Sequence, residues 1–179
     1  MQNIDLSLVK DTAELPPVHL WKPDFCGQMD LTIKANGEWW HEGAMIKRPK
    51  MVKMFSRILW HEEGQHFLVT PIEKIQIQVE DAAFLVQQCS VVQVDGQQQI
   101  RFITTVDDEL LLGQDCQLWM ANYAQQQRPY IDMRYGMKAL LSRHVFYELV
   151  ALAVECEIDG NLHMCVSSMG KRFSLGLCE

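Results

Sequence analysis

No stretch of this 179-residue chain carries a recognisable catalytic, metal or nucleotide signature, so the sequence alone names no activity. Its six cysteines, Cys26, Cys89, Cys116, Cys156, Cys165 and Cys178, are scattered without a C-x-x-C pair, which excludes a zinc knuckle and a dithiol redox centre. The opening Met1-Gln2-Asn3-Ile4-Asp5 lacks the basic start and apolar run of a signal peptide. With no export signal the cysteines are expected to be reduced thiols, most of them buried as small apolar groups. No run approaches the roughly 18 to 20 apolar residues of a membrane span. The longest, residues 145–154, is short and carries Glu148, so a core helix is expected. Excess positive charge is missing too: the net charge is -7, which weighs against nucleic-acid binding because Lys and Arg supply most non-specific affinity for phosphates. The expectation is a cytoplasmic protein without a membrane span, cofactor or metal.

What is present is an ordinary core composition, 48% apolar and 22% charged, which excludes a largely disordered chain. Two stretches open a helix in the same way, Ile46-Lys47-Arg48-Pro49 before residues 50–60 and Leu141-Ser142-Arg143-His144 before residues 145–154. With arginine laid on arginine, Met51, Val52, Met54, Phe55, Ile58 and Leu59 match Phe146, Tyr147, Leu149, Val150, Ala153 and Val154, spacings that draw an apolar stripe on a helix. Each follows strand-like sequence rich in aromatics, Glu38-Trp39-Trp40-His41 and residues 130–135. This predicts a duplicated strand-then-helix unit. A second reading starts the later helix at Met137 and leaves Arg143 in its middle.

After a weakly helical start, Pro16-Pro17 forces extended backbone and residues 18–23 continue an irregular arm. Residues 28–34 alternate, Asn36-Gly37 signals a hairpin, and residues 38–42 return. Gly64 is expected to end the first helix, followed by strands over residues 67–70 and 73–81. Residues 84–94 and 97–105 flank Asp95-Gly96 as a second hairpin, with further strands at 110–112, 117–120, 130–134, 161–166 and 172–177. The glutamine runs at 97–99 and 125–127 read as solvated turn sequence. Antiparallel hairpins with one main helix per half predict an α+β fold of two domains, residues 1–82 and 83–179.

Individual residues offer few sites. His61-Glu62-Glu63-Gly64-Gln65-His66 is no zinc-protease helix, because its histidines are five apart with a glycine between them; they read as surface histidines at a helix end. Asp107-Asp108-Glu109 lacks the ligand spacing of a calcium loop and reads as an exposed turn. Lys47, Arg48, Lys50, Lys53 and Arg57 form a solvated helix face or an acidic-partner surface. A positive charge at a helix N-terminus opposes the macrodipole, so Arg48 and Arg143 are expected to reach carboxylates at the junction of the halves, such as Glu73, Glu80 and Asp81. Cys26 with His19 and Asp30 nearby allows a thiol nucleophile, against a buried structural cysteine beside Gly27.

Several unusual words recur in order: Pro16-Pro17-Val18-His19-Leu20-Trp21, Phe25-Cys26-Gly27 with Asp30, Val69-Thr70-Pro71 with Glu73-Lys74, Ile77 with Val79-Glu80-Asp81, and Arg128-Pro129-Tyr130 with Arg143 and Val145-Phe146-Tyr147. Over residues 16–147 the chain resembles domain-of-unknown-function family 1285, departing from it at Lys22, Ala83 and His144. The resemblance implies a bacterial cytoplasmic α+β protein with a duplicated core and a second half superficially like a pleckstrin-homology roll. It also implies a signalling role with a binding site between the halves, and no activity.

The function expected from all this is non-enzymatic binding or regulation. The ligand, a small molecule, peptide or protein, is expected between the two halves, at a site drawn from His19, Trp21, Glu73, Lys74, Glu80, Asp81, Tyr130 and Arg134. The alternative is a small hydrolase or transferase using Cys26 as nucleophile with His19.

Overall fold

The structure, a computed structural model, describes residue 4 and residues 14–178. The weakly helical start expected before Pro16 lies largely outside the described residues. Strand dominates: among the described residues 54% are in strands, and there are two α-helices. The chain divides into two compact units, residues 1–82 and 83–179.

In the N-terminal unit β1 (Phe25–Ile33), β2 (Trp39–His41) and β3 (Ala44–Met45) form one antiparallel meander. Helix α1 (Pro49–Arg57) leads to a second, made of β4 (Leu59–Glu62), β5 (Gln65–Val69) and β6 (Lys74–Val79). The first and last strands pair in parallel, so the sheet runs β3-β2-β1-β6-β5-β4. Alternation builds the core: Met29, Leu31, Ile33, Leu59, Leu68, Ile75 and Ile77 are buried. Helix α1 seats Phe55 in a near-parallel stack on Trp39, centroids 6.3 Å apart.

Helix α1 is shorter than the expected residues 50–60. Ile58 leaves helical geometry (φ -106°, ψ 11°), its carbonyl accepts from the Val69 N–H at 2.9 Å, and Leu59 to Glu62 zip against β5. The apolar pair Ile58-Leu59 satisfies a helical stripe and a buried strand start equally well, and both side chains are fully buried. Gly64 is therefore no helix stop. With Glu63 (φ 49°) it supplies the two left-handed positions of a two-residue hairpin turn (Gly64 φ 75°).

The C-terminal unit repeats the sheet plan. One meander is β7 (Phe84–Val94), β8 (Gln97–Thr104) and β9 (Glu109–Leu111); the other is β10 (Leu118–Tyr123), β11 (Gln126–Asp132) and β12 (Lys138–Leu141). β7 and β12 pair in parallel, and the order β9-β8-β7-β12-β11-β10 is that of the first sheet. Helix α2 (Arg143–Leu152) then leads to a three-stranded sheet, β13 (Val154–Ile158), β14 (Asn161–Ser168) and β15 (Lys171–Leu177). Ser168 ties that sheet to the six-stranded sheet of the same unit: its buried hydroxyl accepts from the Ile100 N–H of β8 at 3.0 Å and donates to the Leu112 carbonyl at 2.7 Å.

The shared feature of the two units is thus the six-stranded sheet, whereas the helices occupy different places. α1 joins the two meanders, while α2 follows the sixth strand. The two helix starts also differ by one position. Arg48 is the N-cap of α1 and makes no side-chain cap bond, whereas Ser142 caps α2 and Arg143 is its first residue. Aligned by their caps, Phe55 matches Leu149, and both are buried. The reading that starts the second helix at Met137 fails, because Lys138–Leu141 pairs as strand β12.

Two further expectations change. Cys156 and Cys165, on the adjacent strands β13 and β14, form a disulfide with Cα atoms 6.0 Å apart, so not all six cysteines are thiols. Asp108 is no idle turn residue: it accepts from Arg134 Nη1 at 2.6 Å, and both side chains are largely buried.

Candidate functional site

Pro16-Pro17 and Pro23 hold residues 16–23 out of the sheet, and Val18–Leu20 winds one 3-10 turn with Val18 buried beneath it. This arm lies against β4, on the sheet face where Trp60, Glu62, Phe67, Val69 and Lys74 project. Between arm and sheet is a pocket of about 310 Å³, with His19, Trp21 and Lys22 on one side and Trp60, Glu62 and Lys74 on the other.

Strand register explains the convergence. Trp60 pairs with Phe67 and Val69 with Lys74, so alternate residues of three strands share the face. Glu62 is the fixed point: one carboxylate oxygen takes the Lys74 ammonium and the other accepts from Trp60 Nε1 at 2.8 Å. Lys74 also lies 4.3 Å above the Phe67 ring, close enough for a cation–π contact. The Lys74 bond, seconded by that of Trp60, holds the Glu62 carboxyl below the usual carboxylate range.

A folded-state pKa below the unfolded one makes the ion pair's stabilisation present above the unfolded value near 4.5 and lost as pH falls through the folded one. An acid titration followed by carboxyl-carbon NMR is expected to show Glu62 protonating below 4.5 in the wild-type chain and moving up toward that value in Lys74→Met. A Glu62 midpoint identical in both proteins would show that the ion pair does not set it.

The pocket gathers three of the expected site residues, His19, Trp21 and Lys74. Glu73 is next in sequence to Lys74, and its backbone closes a turn with Thr70, donating to the threonine hydroxyl at 3.1 Å. Glu80 is engaged elsewhere, accepting from Lys34 Nζ and the Ala35 N–H at 2.9 Å each across the β1–β2 hairpin. Those two bonds, Lys34's first, lower its carboxyl pKa. Asp81 follows at the end of the unit and is half-buried.

Tyr130 is fully buried in the C-terminal unit, stacked near Trp119 with centroids 6.1 Å apart and with Lys138 Nζ 4.0 Å from its ring. It is core rather than ligand wall. Arg134, besides its bond to Asp108, lies over Phe84 at 4.6 Å. Arg143 donates from Nε to the Tyr147 hydroxyl of its own helix at 3.0 Å, and Arg48 is exposed. The partner observed for Arg143 is therefore local, one turn along the helix.

For thiol chemistry the geometry is poor. Cys26 donates to the Asp24 carbonyl at 3.2 Å and does not line the pocket that holds His19. Sequence reading missed a second cysteine cluster, in which Glu148 accepts from Cys89 at 3.0 Å and pairs with His144 at 3.1 Å. Burial first, then the Glu148 carboxylate, pushes the Cys89 thiol up to about 12, the opposite of an activated nucleophile. Cys116 is likewise pushed up to about 12 by burial and by Asp115 and Asp132. Among the described residues no three His, Cys, Asp or Glu side chains gather in a metal-binding arrangement, and no helix is long and apolar enough to cross a membrane.

Residues Trp60 and Glu62 were missed because they were assigned to a helix. The signal that finds them is the Glu63-Gly64 turn, with Trp60-His61-Glu62 and Gln65-His66-Phe67 pairing across it.

Residues 16–82 match the family model described as the N-terminal domain of DUF1285, a domain of unknown function, and residues 83–175 match its C-terminal domain. A crystal structure of a DUF1285 family protein from Silicibacter pomeroyi DSS-3 is similar at 36% identity and a TM-score of 0.83, covering 93% of this chain and 90% of that one. A DUF1285 family protein from Shewanella baltica OS155 shares the fold at 24% identity and a TM-score of 0.56, over 69% of this chain and 91% of that one. No curated protein matches the chain.

Proposed function

We propose, from the premise that the chain belongs to the DUF1285 family, that it is a non-enzymatic binding protein whose N-terminal pocket takes a small anion with a flat apolar body, or the carboxylate end of a peptide. The observation that carries this reading is the convergence of two indoles, Trp21 and Trp60, with Lys22, Lys74 and His19 around a pocket of about 310 Å³. Indole faces favour a planar group, and ammonium groups favour a carboxylate or phosphate. The one carboxylate in the lining, Glu62, is already neutralised by Lys74. Binding without chemistry suits a regulatory role, and a signalling function belongs to the same proposal. So does a pleckstrin-homology-like character of the second half, for which its antiparallel meanders and single helix speak.

Thermal unfolding of the full chain in a panel of nucleotides, amino acids, lipid headgroups and peptides tests the reading. A ligand of the proposed class, at about a hundred times its dissociation constant, adds roughly 2.7 kcal/mol of stability. A panel in which aromatic carboxylates and acidic peptide ends leave the transition unmoved would contradict it.

A further inference from the structure

The histidines of His61-Glu62-Glu63-Gly64-Gln65-His66 are excluded as metal ligands only if the segment is a helix, and it is a hairpin. Five residues apart across a two-residue turn is the spacing that sets two side chains directly opposite, and His61 and His66 are register partners on β4 and β5. Glu62 and Gln65 flank the turn and form the first pair of the ladder. The histidines form the second, which in a two-residue hairpin is the non-hydrogen-bonded pair where facing side chains come closest. Their rings are 4.8 Å apart between centroids at an interplanar angle of 41°.

We propose that His61 and His66 form a two-imidazole site for a divalent transition-metal ion of the zinc or nickel class. A metal–nitrogen bond of about 2.0–2.1 Å sets two ligating nitrogens roughly 3 Å apart, a span that suits two imidazoles on facing residues whose Cβ atoms are about 4.5–5.5 Å apart. Imidazole suits these ions, and the register holds both ligands on one sheet face, so little chain entropy is lost on chelation. The rest of the coordination shell is water. Leu59, Leu68 and Ile77 share the histidine face and are buried. Trp60 and Glu62 project from the opposite face of the same hairpin, so the site is separate from the pocket and does not depend on its proposed function.

The test is titration of the untagged full-length chain with Ni²⁺ by calorimetry, repeated on His61→Gln and His66→Gln. Each substitution is expected to weaken one site at least tenfold, while His163→Gln, in the other unit, leaves it unchanged. Wild-type affinity in both hairpin variants, or no binding to the parent chain at millimolar Ni²⁺, would overturn the proposal. A readout on the unaltered protein covers variants that fold poorly. Substoichiometric Ni²⁺ should broaden the ring resonances of His61 and His66 before those of His19, His41, His144 and His163, and uniform broadening of all six would contradict the site.

Discussion

Tyr130→Ala is expected to destabilise the C-terminal unit by about 3–5 kcal/mol, the range for deleting a large aromatic side chain from a core. The residue is fully buried, its ring meets Trp119 on one side and Lys138 on another, and its strand β11 is central to a meander paired with both β10 and β12. A typical domain is stable by only about 5–15 kcal/mol, so the loss is large enough to populate unfolded chain at modest denaturant. Urea unfolding followed by the indole N–H NMR signal of Trp119, the one tryptophan of the five that lies in this unit, measures it. A loss below about 0.5 kcal/mol, the range typical of surface positions, would contradict the core role of Tyr130.

Lys74→Glu carries the second large effect, on binding. It removes the cation nearest Glu62 and sets two carboxylates together at the pocket floor, so an anionic ligand loses its partner and meets repulsion. Setting like charges against each other across a binding contact costs several kcal/mol, and about 2 kcal/mol already corresponds to an affinity loss of roughly thirtyfold. Lys22→Glu, on an exposed arm position, should cost less. The fold should be little affected, because the Lys74–Glu62 pair is only partly shielded and such pairs contribute roughly 0–1 kcal/mol. Binding of the best aromatic carboxylate from the panel to each variant separates the outcomes: equal affinities for Lys74→Glu and wild type would remove Lys74 from the site.

How much was legible beforehand depended on turns. Asp95-Gly96 announced the β7–β8 hairpin because Asp readily takes the left-handed first position, and it does so here (φ 50°). Glu42-Gly43, Glu63-Gly64 and Met169-Gly170 form equivalent turns with Glu and Met forced to positive φ, and Ala124-Gln125 does so with no glycine at all. Those residue types carry no turn signal, so β3 and β4 were hidden. Losing β4 assigned Trp60 and Glu62 to a helix, which concealed half of the pocket. The other half was visible, since Trp21 and His19 stand in a proline-bounded arm and Lys74 opens a cleanly alternating strand.

The likeness of the two helix starts was a true local similarity with the wrong meaning. Arginine beside an apolar stripe recurs because both helices cover a sheet through one buried face, Phe55 in one and Val145 with Leu149 in the other. The duplication itself is written in strand order, a first strand parallel to a sixth, and non-local pairing of that kind leaves no short-range trace. Tyr130 shows the complementary failure: an aromatic beside charged residues reads equally as a ligand wall and as core, and only burial separates them.

The central claim is that the N-terminal pocket binds an anion between its indoles. Indole N–H NMR during titration with an aromatic carboxylate tests it most directly, because the five tryptophans report five places at once. The signals of Trp21 and Trp60 should shift together and saturate, while those of Trp39, in the core, and Trp119, in the other unit, stay in place. Saturable shifts confined to Trp119, or no shift at Trp21 and Trp60 with any carboxylate, would contradict the account.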